Sequence, residues 1–192
     1  MRTIAQPLTL DEQLAAFRRN RFLSMPITGL IVWSGIGIAG AILPEVQAAL
    51  ATYLGTGAIF YLALLVAKLT GEDILGRKRP GNFFDKIYLS TLAMSLLVFA
   101  VAIPFQFQNL SSVPLSVGVL TGLMWLPFSV IAGHWVGYFH TLARTALLVA
   151  AWFLFPAHRF TVLPVIIVAV YFISILALAR RWSVINASTF QS

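Results

Sequence analysis

The stretch GHWVGYFHTLARTALLVAAWFLFPAHR, residues 133–159, decides how often this chain crosses an apolar layer. Counted back from Phe155, the run without a charge begins no earlier than Thr145. As a helix it would rise only about 16 Å, too little for the roughly 30 Å of hydrocarbon in a bilayer. A helix of about 20 residues that ends at Phe155 has to begin near Val136, and that start draws His140 and Arg144 inside it. Four residues apart, they share one helical face. Arg144 then lies roughly 12 Å from the inner boundary on helix rise alone, a depth that snorkelling recovers only in part.

Outward from this stretch lie five further apolar runs: Pro26 to Leu43, Val46 to Leu69, Ile87 to Phe105, Leu115 to His134 and Thr161 to Ala179. The 192-residue chain is 59 % hydrophobic and 10 % charged, against about 25 % charged in an average soluble domain. That composition excludes a water-soluble globule and a disordered chain. With no cysteine there is no disulfide, thiolate metal site or cysteine nucleophile. The expectation is an all-α polytopic membrane protein of six transmembrane helices. Residues 1–24 form a cytoplasmic amphipathic helix, 25–182 the membrane domain and 183–192 a cytoplasmic tail.

Charge sets the orientation. With the N-terminus inside, the inner segments hold Arg2, Arg18, Arg19, Arg21, Lys68, Arg77, Lys78, Arg79, Lys86, Arg144, Arg180 and Arg181, and the outer side holds only Arg159. A bias of twelve to one puts both termini in the cytoplasm, and the bilayer accounts for the net charge of +7 without any nucleic acid. Before the first span, Thr9-Leu10-Asp11-Glu12 fits a capping box, with Arg18, Arg19 and Arg21 at the other end of the helix to match its dipole. Such a short helix is expected to lie on anionic lipid headgroups; a partner-binding or gating helix is the sharper alternative.

Gly35-Ile36-Gly37-Ile38-Ala39-Gly40 spells a dinucleotide fingerprint but falls in mid-membrane, where no strand precedes it. With Gly29 it reads as a face for close approach of another helix, and it is the candidate contact of a homo-oligomer. Arg77-Lys78-Arg79-Pro80-Gly81 beside Phe83-Phe84 is a candidate headgroup-binding loop; a topogenic cluster is the plainer account. Glu45, His158 and Arg159 fall at the outer mouth, where Glu45 and Arg159 are placed to pair. Pro127 is expected to break the fourth helix and free carbonyls toward a cavity. Thr28-Gly29-Leu30-x-x-Trp33 and Thr121-Gly122-Leu123-x-Trp125 echo each other about half a chain apart, a weak hint of two inverted halves.

A guanidinium inside a span requires partners. The six carboxylates all fall outside the spans, with Asp11, Glu12, Glu72, Asp73 and Asp85 cytoplasmic and Glu45 at the outer edge. Backbone carbonyls, water, an infolded loop acid, a lipid phosphate or an anionic ligand remain for Arg144. His134, Trp135 and His140 stand near the same turn, so Arg144, His140, His134 and Trp135 form the candidate site for substrate or lipid. Three histidines, two of them six apart and the third at the other end of a span, do not suit a metal site, and no cofactor is implied. Proton transfer by His140 competes with plain hydrogen bonding at a helix turn.

His140-x-x-x-Arg144, Trp152, Pro156-x-His158-Arg159-Phe160, Pro164 and Tyr171, with an Arg-rich start running into Met25-Pro26-Ile27, resemble a family of small multi-pass bacterial membrane proteins of unknown function. The resemblance runs nearly the full length, implies the bacterial inner membrane and supplies no activity. Among function classes, a carrier or channel for a small anionic or polar solute accounts best for Arg144 and the glycine-rich spans. A lipid-binding or assembly protein without turnover is the alternative. An enzyme acting on lipid is weaker, because the spans carry no carboxylate or histidine cluster for acid–base or metal chemistry.

Overall fold

A computed structural model describes residues 8–189; Arg2 and the last three residues of the expected tail lie outside the described residues. Every regular element among them is helical. Helix α1 (Leu10–Arg18) starts at the capping box, where the Thr9 side chain accepts from the Glu12 amide and the Glu12 carboxylate accepts from the Thr9 amide. The helix is tied to the bundle through a few contacts. Its Phe17 is fully buried, the Arg18 Nε–H donates to the Ile131 carbonyl at 3.0 Å, and Gln13 bonds Asn82 and the Phe83 amide. Phe17 thus docks the C-terminal end of the helix on the bundle, while Leu10 at its start is 60 % exposed.

The long helices follow the apolar runs. They are α2 (Ser24–Ile42), α3 (Glu45–Thr70), α4 (Phe83–Leu97) continued by α5 (Phe99–Gln106), α6 (Val113–Gly122) continued by α7 (Trp125–Ala132), α8 (Val136–Leu154) and α9 (Arg159–Thr189). Five segments are long and apolar enough to cross a membrane: Ser24–Ile42, Glu45–Thr70, Phe83–Gln106, Leu110–Ala132 and Pro156–Ala187. Large apolar side chains such as Ile38, Leu54, Leu97, Phe153 and Phe172 face outward, as a lipid-solvated protein allows. The chain is a multi-pass membrane protein. Helix α8 begins at Val136, as the length arithmetic requires, but Arg144 and His140 leave it less apolar than the other five.

Helix α9 sits between α2 and α8, with α3 flanking α2, and α6 and α7 packed on α8. It runs on past Arg181, so the segment expected as a tail is helical as far as it is described. The glycine face of α2 meets α9 of the same chain. A Cβ on Gly40 would lie 2.0 Å from the Phe160 carbonyl oxygen, and one on Gly37 would lie 3.3 Å from Pro164. Close approach holds for Gly29, Gly37 and Gly40, each against α9 of the same chain, whereas Gly35 has nothing within 4 Å; the stripe gives no support to a contact between copies.

The break in the fourth run falls at Leu123 and Met124, one turn before the expected Pro127. Pro127 is the third residue of α7, where an amide has no intrahelical acceptor to lose. At the far end of α7, Gly133 takes a left-handed φ of 62° and its missing side chain makes room for the Arg18 guanidinium, whose Cζ would lie 2.8 Å from a Cβ there. One end of the bundle is basic and closely knit. Glu72 caps the amides of Leu23 and Ser24, Arg21 donates to the Thr70 carbonyl, and Arg181 donates to the carbonyls of Asn20 and Arg18.

Candidate functional site

Buried positions of α8 fall at Val136, Gly137, His140, Thr141, Arg144, Leu148 and Ala151, one helical face. On it Arg144 is 0 % exposed. Its Nη2–H donates to Thr121 Oγ1 on α6 at 2.9 Å. Its carbon centre lies 5.3 Å from the ring centroid of Trp33 on α2 and 5.6 Å from that of Tyr171 on α9, within range of attraction between a cation and an aromatic face. A Cβ at Gly122 would come 3.2 Å from Arg144 Cδ, and one at Gly29 2.4 Å from Tyr171 Cζ. Two helix backbones without side chains thus let the cage close.

The bonding of His140 fixes its tautomer. Ser174 gives its one hydroxyl proton to the Val170 carbonyl at 2.8 Å, so it accepts from His140 Nδ1, 2.9 Å away. Nδ1 therefore carries the proton, and the bare Nε2 accepts from Arg144 Nη1–H at 3.3 Å. The same logic holds for Thr121, which donates to the Val117 carbonyl and so accepts from Arg144. The imidazole is stacked on Trp125, 4.0 Å between centroids and 12° between planes, with Tyr171 edge-on at 4.7 Å.

No carboxylate among the described residues pairs with Arg144. The carboxylates expected outside the spans are occupied or distant: Glu72 caps α2, Asp73 caps the amides of Arg77 and Lys78, and Asp85 holds Arg79. Both ion pairs among the described residues involve Arg79. No backbone carbonyl accepts from the Arg144 guanidinium; its partners are a hydroxyl, an imidazole and two π faces. Two buried donors, Arg144 Nε–H and Trp33 Nε1–H, have no acceptor, so the cage offers N–H groups and no counter-charge.

Next to it lies a cavity of about 40 Å³ whose wall includes Thr121, Trp125 and Tyr171 on the cage side and Thr56 and Ser95 opposite. That is room for about three waters at 10–15 Å³ each. A second cavity of about 20 Å³ shares Met25, Met124 and Trp125 with the first. A third, of about 10 Å³, shares Phe22 and Tyr88 with the second and reaches Asn20 and Glu72 at the basic end. The wall of the second cavity is aromatic: Phe22 meets Phe128 edge-on at 5.1 Å, and Trp125 meets Phe128 at 5.4 Å. Phe22 holds a left-handed φ of 59°, a conformation costly to a bulky side chain.

The other expected site residues separate. His134 and Trp135 lie at the α7–α8 turn, lining an open cavity with Arg180 and Arg181, apart from the Arg144 cage. Burial, then the nearby Arg181, holds the His134 imidazole below its ordinary range. Arg79 is committed to Asp85, in two bonds of 2.9 and 3.0 Å, and to Asn20, which leaves Arg77 and Lys78 as the exposed cations of that loop. Glu45 and Arg159 form no ion pair. Arg159 instead donates to Ser111 Oγ at 2.7 Å and the Trp152 carbonyl at 3.0 Å, and lies 3.8 Å over the Trp152 ring. His158 is exposed beside it.

Thr121, Ser174, Trp33 and Trp125 were not foreseen as site residues. The signal that points to most of them is the Thr-Gly-Leu echo: Trp33 and Trp125 both wall the cage, while Gly29 and Gly122 both make room for it. The chain belongs to the family of unknown function DUF7010, whose model matches residues 13–181. No curated protein and no solved structure matches it.

Proposed function

We propose that this protein is a six-span carrier or channel for a small anion in the bacterial inner membrane, with both termini in the cytoplasm. The observation that carries this is the Arg144 cage, a fully buried cation with unpartnered N–H donors beside it and no carboxylate partner. Leaving such a charge uncompensated is costly, and an anion would satisfy both donors and charge. Helix α8 as the sixth span is supported by its 19 residues, about 28 Å of rise, and by its burial between α6 and α9. Orientation is supported by the cluster of arginines at one end.

The file of small cavities from the basic end to Thr121 and Tyr171 supports a route. In this proposal Phe22, Tyr88, Phe128 and Trp125 close it in the resting form, and the solute exchanges Thr121 for itself as the partner of Arg144. A guanidinium grips two oxygens of a planar anion at once, which favours small oxyanions. A second reading, a lipid-binding or assembly protein without turnover, is favoured by the complete sealing of Arg144, which ties α2, α6, α8 and α9 together. Flux from liposomes carrying the full chain separates the two. Chloride, nitrate, formate and acetate are the probes, read by ion-selective electrode or light scattering. Transport predicts efflux of at least one above protein-free liposomes, lost in Arg144→Met with the variant still monodisperse. Wild-type efflux equal to that of protein-free liposomes for all four overturns it.

A further inference from the structure

The α7–α8 turn and residues Ile173 to Val184 of α9 line an open cavity of about 400 Å³. Its chemistry is graded. Ile173 and Leu176 give an exposed apolar wall, Arg180 and Arg181 follow with one further exposed apolar residue, Val184, beyond them, and His134 and the half-exposed indole of Trp135 line the facing side. Ile173 precedes Arg180 by seven residues, about 10 Å of helix. An apolar wall that ends in arginines and an indole over that distance has the profile of a boundary between hydrocarbon and headgroups.

The two arginines differ in what they are free to do. Arg181 is fixed, donating to the carbonyls of Asn20 and Arg18 and lying 5.2 Å over the Phe22 ring. Arg180 is exposed, and no hydrogen bond or ion pair among the described residues holds its guanidinium. The acids of this end, Glu72, Asp73 and Asp85, are turned to other partners. The cavity therefore presents one exposed, unpaired and one fixed positive charge beside an apolar wall, with no carboxylate among its described lining residues.

We infer that this cavity binds one anionic phospholipid, its phosphodiester on Arg180 with Arg181 beneath, and the start of an acyl chain along Ile173 and Leu176. The charge favours an anionic over a zwitterionic headgroup, and the wall favours a lipid over a free phosphate ester. The site shares no residue with the Arg144 cage and stands or falls separately from anion transport.

Native mass spectrometry of the detergent-purified full chain tests it, with phosphatidylglycerol and phosphatidylcholine of the same acyl chains added in equal amounts. The wild type is expected to retain phosphatidylglycerol in preference, and Arg180→Gln to lose about fivefold of that preference, the worth of one surface arginine. Leu176→Ser should weaken retention of both lipids. The Arg180 guanidinium bonds no other described residue, and its carbonyl, which accepts from the Ser183 hydroxyl at 2.8 Å, is kept by the substitution, so Arg180→Gln is expected to leave the fold intact. Equal retention of the two lipids by the wild type, or a preference unchanged in Arg180→Gln, overturns the site. Displacement by glycerol 3-phosphate at the same concentration also overturns it, in favour of a free phosphate ester.

Discussion

Replacing Arg144 with methionine removes the charge while keeping an unbranched side chain of similar length. The bonds from Nη2–H to Thr121 at 2.9 Å and from Nη1–H to His140 Nε2 at 3.3 Å are together worth about 3 kcal/mol as charged hydrogen bonds, the longer one less. The contacts with the Trp33 and Tyr171 faces are worth about 1 kcal/mol each. Against this loss of about 5 kcal/mol stands relief of a desolvation penalty of several kcal/mol, since no carboxylate meets the guanidinium. Thr121 keeps its own acceptor at Val117, and only His140 Nε2 loses a donor. Arg144→Met is therefore expected to unfold within about 2 kcal/mol of wild type while anion flux disappears. Denaturant titration in micelles followed by tryptophan fluorescence reads the first, and liposome efflux the second. A loss of more than about 4 kcal/mol would refute the reasoning, because the arginine would then be a structural clamp.

Gly40→Ala should cost about 3 kcal/mol or more, because its Cβ would meet the Phe160 carbonyl at 2.0 Å and backbone cannot yield cheaply. Gly35→Ala, with nothing within 4 Å, should stabilise by about 0.5–1 kcal/mol; thermal unfolding of both variants checks the pair. The capping box holds the Glu12 carboxyl below its ordinary value of 4.5, through the Thr9 amide and then the Thr9 hydroxyl. Its contribution is accordingly full above pH 4.5 and lost as pH falls through the lower folded value. Amide exchange in α1, relative to the intrinsic rate, should quicken over that window in the wild type and lose that dependence in Glu12→Gln, which removes the titrating group. Phe22→Gly relieves the φ of 59° and removes a ring from the file of cavities, so anion efflux should rise several-fold; unchanged efflux would remove Phe22 from the route.

What the sequence disclosed and what it withheld follow from the range of the forces involved. Local signals sufficed for the capping box at Thr9 and Glu12. Length arithmetic sufficed for α8, because a helix that ends at Phe155 has one feasible start. Glycines announced close approach on α2 but not by which helix, since the partner is set by how α9 returns through the bundle. The partners of Arg144 were hidden because none is an acid: Trp33 and Tyr171 contribute π faces that look like ordinary core, and Thr121 a hydroxyl normally spent on its own helix. Arg159 finds Ser111 and Trp152 rather than the opposite charge at Glu45, a choice decided by proximity in three dimensions.

The central claim is that Arg144 awaits an anion, and binding linked to stability tests it most directly. Formate is titrated at constant ionic strength against the thermal unfolding of the detergent-purified chain, with wild type and Arg144→Met side by side. Binding to the folded state alone should stabilise the wild type by about 2.7 kcal/mol at a hundredfold excess over Kd, seen as a rising midpoint, and leave Arg144→Met unmoved. A wild-type midpoint that ignores formate, or one that rises equally in both proteins, would contradict the account.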